Sequence, residues 1–276
     1  MDSLSDYVKG LKLPLYFTSV APVIFIWVYN NFKSSFYFVF LLIIVLLMQL
    51  ALNLAMDFYD YQHGIQIVNE STVFPVGPYL VYKMHIKPES IRKAFIVSAL
   101  MAVIFGLYII FVSGDYSLII IGILAVFVSL IYVLPPFRLD TRGLGEFSTF
   151  FSFGPFILIG SSILFNIRIT FFIISVSILF GLLASAIRFL HHITEDNPEG
   201  TRVKNFRKIY AFILLFGFII QAYNPLLFLY MIPPLAISII HIIMIKNNTL
   251  EIAAKTSEIV AIQLVTTILL VLYIIF

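Results

Sequence analysis

The chain has 276 residues, of which 61% are hydrophobic and 11% charged, with 17 Lys+Arg against 14 Asp+Glu, a formal net charge of +3 and a mean hydropathy of +1.06. So few charges cannot coat a water-facing surface, for which roughly 25% is usual, and 16% aromatic residues do not suit a disordered chain. The absence of Cys excludes a disulfide framework, Cys-ligated zinc, iron–sulfur clusters and a thiol nucleophile.

The opening MDSLSDYVKGLKLPLYF carries charges of both signs and no small-residue cleavage site before a long apolar run, so it does not read as a removable signal peptide. Apolar stretches follow at 14–30, 35–58, 91–113, 116–134, 144–165, 168–190, 208–222, 225–245 and 256–276. A membrane helix needs about 20 mainly apolar residues. The expectation is therefore an all-α polytopic membrane protein with nine transmembrane helices, in a single transmembrane domain over residues 1–276. The stretches are continuously apolar rather than alternating, which excludes a membrane β-barrel.

The connections are unequal. Residues 31–34, 114–115, 166–167 and 223–224 read as tight turns; residues 59–90, 135–143, 191–207 and 246–255 are longer and polar. With nine spans, every Lys and Arg except Lys33 and Arg168 falls on the side of the N-terminus and the long loops. The positive-inside rule places that side in the cytoplasm, as expected of a multi-pass protein of the plasma membrane. The basic residues belong to topology and to any anionic substrate; nucleic-acid binding is not expected.

Asn53, Asp57 and Asp60 in NLAMDFYDYQHG are spaced i, i+4, i+7 and share one helical stripe. Two carboxylates and an amide are hard oxygen ligands suited to Mg²⁺, which typically binds through one or two carboxylates plus substrate phosphate. The same spacing also suits a helix that ends where it meets water. A second acidic passage, AIRFLHHITEDNPEGTR, closes the sixth span on the same membrane face. If this end is helical, Arg188, His192, Glu195 and Glu199 share a stripe, with Asp196 beside Glu195. Two such helix ends facing one cavity can hold a diphosphate through bridging Mg²⁺, while an exposed acidic loop is the plainer alternative. Lys9, Lys12, Arg138 and Arg142 are candidate partners of phosphate oxygens, the arginines bidentately; topology alone also accounts for each. His241, a single His in the eighth span, reads as structural.

Three passages resemble the UbiA superfamily of intramembrane prenyltransferases, most of all its 1,4-dihydroxy-2-naphthoate polyprenyltransferase branch. NLAMDFYDYQHG is similar to the family's first aspartate motif, Asn-x-x-x-Asp-x-x-Asp. LPPFRLDTRGLGEFSTFFSFGP is similar to the branch's segment with Arg-Gly-Leu-Gly-Glu, here Arg142 to Glu146, and Phe-Gly-Pro, here Phe153 to Pro155. HHITEDNPEG stands in the place of the second aspartate motif, with His192 where its first Asp would be and Thr201 in place of a Lys. An Arg usual after the Gly-Pro of the second long loop is absent from VGPYLV.

The resemblance implies nine helices, a cytoplasmic N-terminus and the transfer of a polyprenyl group from an isoprenyl diphosphate to an aromatic acceptor. Within the branch that acceptor is dihydroxynaphthoate, in menaquinone biosynthesis; elsewhere in the family it is 4-hydroxybenzoate or another quinone or lipid precursor. It implies Mg²⁺ as cofactor, held by Asn53, Asp57 and Asp60 and by His192, Glu195 and Asp196, with Asp57, Asp60 and Asp196 essential to catalysis. Lys9, Lys12, Arg138 and Arg142 would meet the diphosphate, and Tyr132 would face the acceptor or the allylic cation. A transporter or ion-binding protein is the rival from another class. It would place its charges near the bilayer midplane, whereas here they gather at one face.

Overall fold

The computed structural model describes residues 4–67, 75–195, 200–245 and 248–276. Every regular element among them is helical. In chain order the α-helices are α1 (Leu4–Gly10), α2 (Phe17–Tyr29), α3 (Ser35–Gln62), α4 (Tyr79–Tyr82), α5 (Pro88–Ser113), α6 (Leu118–Val133), α7 (Gly145–Phe153), α8 (Pro155–Leu164), α9 (Phe171–His191), α10 (Thr201–Lys204), α11 (Phe206–Ile219), α12 (Pro225–Met244), α13 (Thr249–Ala254) and α14 (Thr256–Ile275).

Each of the nine apolar stretches holds a helix, but not nine full-length spans. Among the described residues, seven helical segments are long and apolar enough to cross a bilayer. Leu4–Gly10 with Leu13–Tyr29 makes an eighth, bent by 50°. α6 has 16 residues, about 24 Å at 1.5 Å per residue, short of a hydrocarbon core of about 30 Å. The cause is local: Leu134 precedes Pro135 and takes ψ 140°, because a residue before proline is pushed out of the helical region. The fifth stretch is also interrupted. Gly154-Pro155 ends α7 and starts α8, with Gly154 at φ −115°, ψ −91°.

The sixth stretch ends earlier than a continuous stripe through Glu199 requires. α9 stops at His191, and a 3-10 turn covers Ile193–Glu195. The β-branched Ile193 and Thr194, with Pro198 ahead, are poor material for prolonging the helix. Asp196 and Glu199 lie outside the described residues, as does the side chain of Glu195.

The bundle is built around α9. Its apolar core is 83% buried inside the protein, against 22% for α3 and 17% for α5. α9 packs against α2, α7, α8, α11 and α14. The main hydrophobic core joins Ala21, Phe25 and Ile26 of α2 to Leu179, Phe180, Leu183 and Leu190 of α9, Tyr210 and Phe218 of α11 and Ile259 of α14. A looser half forms from α3, α4, α5 and α6, around Leu54, Phe58, Leu80 and Ile91 and around Met56 and Tyr132. The outward faces of α5, α6 and α12 expose Leu100, Leu107, Phe111, Ile123, Phe127, Leu229 and Ile243, as a lipid-facing surface requires. The space between the two halves is where the candidate site lies.

Candidate functional site

A cavity opens between α2, α3, α6, α7 and α9. Its polar lining comes from Lys12, Gln49, Asn53, Tyr132, Arg188, His191 and His192, with Thr18, Ser129, Ser148, Thr149 and Ser152 along the walls. A second cavity runs between α3, α5, α6 and α8, lined by Leu41, Ile44, Val45, Met48, Gly106, Ile110, Gly122 and Ala125 among others. Gln49, Leu52, Ser129, Ser152 and Phe153 line both. Together they make a polar head continuous with an apolar trunk.

The N-terminal arm is tied to α3 beside this head. Ser19 Oγ donates to Gln49 Oε1 at 2.6 Å, and Gln49 Nε2 donates to the Leu15 carbonyl at 2.9 Å. Lys12, with φ 54° in the left-handed region, sends its ammonium to within 3.3 Å of Asp57 Oδ1. Both side chains are buried. Lys12 lines the cavity and Asp57 stands behind it.

The stripe of Asn53, Asp57 and Asp60 forms as expected, but its three members have different surroundings. Asn53 lines the cavity, Asp57 meets Lys12, and Asp60 accepts from Arg138 Nη2 at 2.7 Å. That guanidinium also reaches Asp140 Oδ2 at 3.1 Å and lies 3.0 Å from His63 Nδ1. Arg138 itself has φ 39°, an uncommon conformation for a residue with a Cβ, held by these contacts from α3 and its own loop. Burial raises the Asp140 carboxyl above its ordinary value against the pull of Arg138.

On the opposite wall Arg188 acts as a clamp. Its Nε donates to the Tyr132 hydroxyl at 3.0 Å, Nη1 to Glu146 Oε1 at 2.7 Å and Nη2 to the Asp140 carbonyl at 2.5 Å. Arg202 shares Glu146 at 2.9 Å. The guanidinium lies against Gly145, where a Cβ would sit 2.0 Å from its central carbon. The Arg-Gly-Leu-Gly-Glu passage thus supplies the floor and the counter-ion of this clamp. Next to it stand His191 and His192, both buried, their rings edge to face at 4.7 Å. Burial, and then the nearby Arg188 and Lys12, hold the His192 imidazole well below its usual pKa, hence neutral.

Of the other expected residues, Tyr132 and His192 line the head. Arg142 is exposed, donates to the Pro136 carbonyl at 2.6 Å and lines a separate hollow with Arg138 and His63. Lys9 sits on α1 and is not among the lining side chains. Sequence reasoning passes over Gln49, Asp140 and His191. Gln49 carried a signal, a polar residue one helical turn before Asn53 in an otherwise apolar span. Asp140 carried little, because its role depends on a loop folding back under α9.

Among the described residues no group of three His, Asp or Glu side chains is placed to hold a metal ion. Asp57 fits a divalent ion in one respect, since among the described residues its buried Oδ2 has no side-chain hydrogen-bond partner. Asp60 fits less well, being engaged by Arg138, and neutral His192 is an imidazole, a ligand type that suits Mg²⁺ poorly.

No protein-family model matches the chain, and no curated protein matches its sequence. A solved structure of a digeranylgeranylglyceryl phosphate synthase, studied for biosynthesis in membranes, does match it. The TM-score is 0.66 at 14% identity, over 100% of this chain and 99% of the other. The two share a fold. The likeness extends end to end, and together with the long apolar helices it supports a multi-pass membrane protein.

Proposed function

We propose that this protein is a UbiA-type intramembrane prenyltransferase that joins an isoprenyl chain, delivered as its diphosphate, to a nucleophilic acceptor. One observation carries the reading: a polar, cation-lined head continuous with an apolar trunk inside a membrane fold. A diphosphate belongs in the head and an isoprenyl tail in the trunk. The allylic C–O bond ionises and the diphosphate leaves with the bonding electron pair. The acceptor then supplies a pair to the carbocation and, if it is an aromatic ring, loses the proton from the attacked carbon. Water would quench the cation, so a cavity walled by Leu15, Leu52, Met56 and Phe153 favours transfer over hydrolysis. Tyr132, held by Arg188, presents its ring where a cation could be stabilised.

In this reading the short α6 completes nine spans, and the N-terminus and long loops face the cytoplasm of the plasma membrane. Mg²⁺ is the proposed cofactor, with Asp57 Oδ2 as the ligand the described residues offer; when bound, it neutralises charge developing on the leaving diphosphate. Asp196 and Glu195 are proposed to add to it. For the acceptor we propose dihydroxynaphthoate, resting on the passage from Arg142 to Glu146. The name of the synthase that shares the fold points to a second acceptor class, a glyceryl phosphate lipid.

Purified protein with Mg²⁺, radiolabelled geranylgeranyl diphosphate and both acceptors tests the reading. A prenylated product is expected with one acceptor. Asp57→Asn, which takes the counter-ion from Lys12, is expected to lower transfer about a hundredfold, the scale of a displaced catalytic group. Wild-type turnover in that variant would sink the assignment of the head. The trunk is tested separately. A Cβ at Gly122 meets nothing within 4 Å, so Gly122→Phe has room to fill the apolar cavity. It is expected to raise KM for geranylgeranyl diphosphate about tenfold or more while sparing a short allylic diphosphate, since each buried methylene contributes about 0.8 kcal/mol.

A further inference from the structure

Among the described residues, four cations, Lys12, Arg138, Arg188 and Arg202, meet four carboxylates, Asp57, Asp60, Asp140 and Glu146, in three groups of ion pairs. These described groups are polarised in space. Lys12 and Arg188 line the head of the cavity, together with His191 and His192, and none of the four carboxylates does. All four lining groups are more than nine-tenths buried, at 3%, 6%, 3% and 7% exposure for Lys12, Arg188, His191 and His192.

We propose that this head binds the diphosphate chiefly through fixed protein groups, the Lys12 ammonium, the Arg188 guanidinium and the two imidazoles, with a divalent ion contributing little of the affinity. The inference rests on the reading of the cavity as a diphosphate site. Where two metal ions would bridge acidic helix ends to an anion, each carboxylate of the first motif already holds a fixed cation: Lys12 on Asp57 and Arg138 on Asp60. On the other side of the cavity, His192 and Arg188 line the wall in the region of the second acidic passage. An ammonium between a carboxylate and a phosphate oxygen does the electrostatic task of a bridging ion, with donors in place of coordination bonds. The carboxylates hold the cations in position, so little reorganisation accompanies binding.

Calorimetry in nanodiscs of zwitterionic lipid tests this with a geranylgeranyl thiolodiphosphate analogue, first with Mg²⁺ and then with EDTA. Zwitterionic lipid keeps anionic headgroups from occupying the cavity. EDTA is expected to change Kd by less than about tenfold, and inorganic diphosphate is expected to compete in both conditions. In EDTA, Lys12→Gln is expected to weaken binding about ten- to a hundredfold, the size of one charge-assisted hydrogen bond. A melting temperature taken on the same sample separates lost binding from lost fold; if that variant does not fold, the wild-type comparison alone decides. Binding that disappears in EDTA overturns the inference and leaves the prenyltransferase reading standing. No binding in either condition overturns both.

Discussion

Arg188→Met is expected to lower prenyl transfer about a hundredfold or more and to lower the melting temperature as well. Among the described residues the guanidinium makes directional bonds to Tyr132 of α6, Glu146 of α7 and the Asp140 carbonyl in the loop between them. Met fills much of the volume but supplies no donor. Glu146, 15% exposed at its side chain, keeps only Arg202, and breaking a largely buried pair by removing one partner costs about 3–5 kcal/mol. The Tyr132 ring and the Asp140 loop lose their common anchor, and a misplacement near 1 Å at a reacting centre costs about a hundredfold in rate. Arg188→Lys separates the two effects. It keeps the charge but not the planar fork, so its stability is expected to recover more than its turnover. Transfer rates with a melting curve on each variant check this. Wild-type turnover in Arg188→Met would remove the clamp from the mechanism.

The largest effect on folding is expected at Gly154. A Cβ there would lie 2.2 Å from the Ser177 carbonyl oxygen and 2.7 Å from the Gly181 nitrogen. Both are backbone atoms of α9, the central helix, and neither can swing aside as a side-chain tip would. The approach is reciprocal, since a Cβ on Gly181 would meet the Phe150 carbonyl oxygen at 2.6 Å. Gly154→Ala therefore pushes α7 and α8 off α9. It is expected to cost about 3 kcal/mol, at the upper end for overpacking, and to widen the cavity wall that Ser148, Thr149 and Phe153 form. Gly106→Ala is the control: it lies inside α5 with nothing within 4 Å of a new Cβ, and Ala is the better helix former by about 0.5–1 kcal/mol. A melt in which both variants match the wild type would show that the close approach is not tight.

The first acidic stripe was legible in the sequence because it is local. Residues four and seven apart on a helix share a face whatever surrounds them, so Asn53, Asp57 and Asp60 could be grouped before any fold was known. The membrane character was legible for the same reason, being a sum over residues. What each member of the stripe meets was not legible. Lys12 arrives from 45 positions away and Arg138 from 78, and no spacing rule reaches across such separations. Arg142 shows the converse: the motif put it beside Arg138, but the loop turns its side chain to the Pro136 carbonyl in a separate hollow.

The sequence by itself determined an all-helical chain in a bilayer, the places of its helices and one polar stripe, because hydropathy and helical periodicity are properties of neighbours in the chain. Only the tertiary structure decided that α9 is the centre, that Gly154 lets two helices touch, that Arg188 gathers three elements and that, among the described residues, cations rather than carboxylates face the cavity. Those depend on which distant side chains meet at short range, and in a low-dielectric interior such pairings set where charge can point.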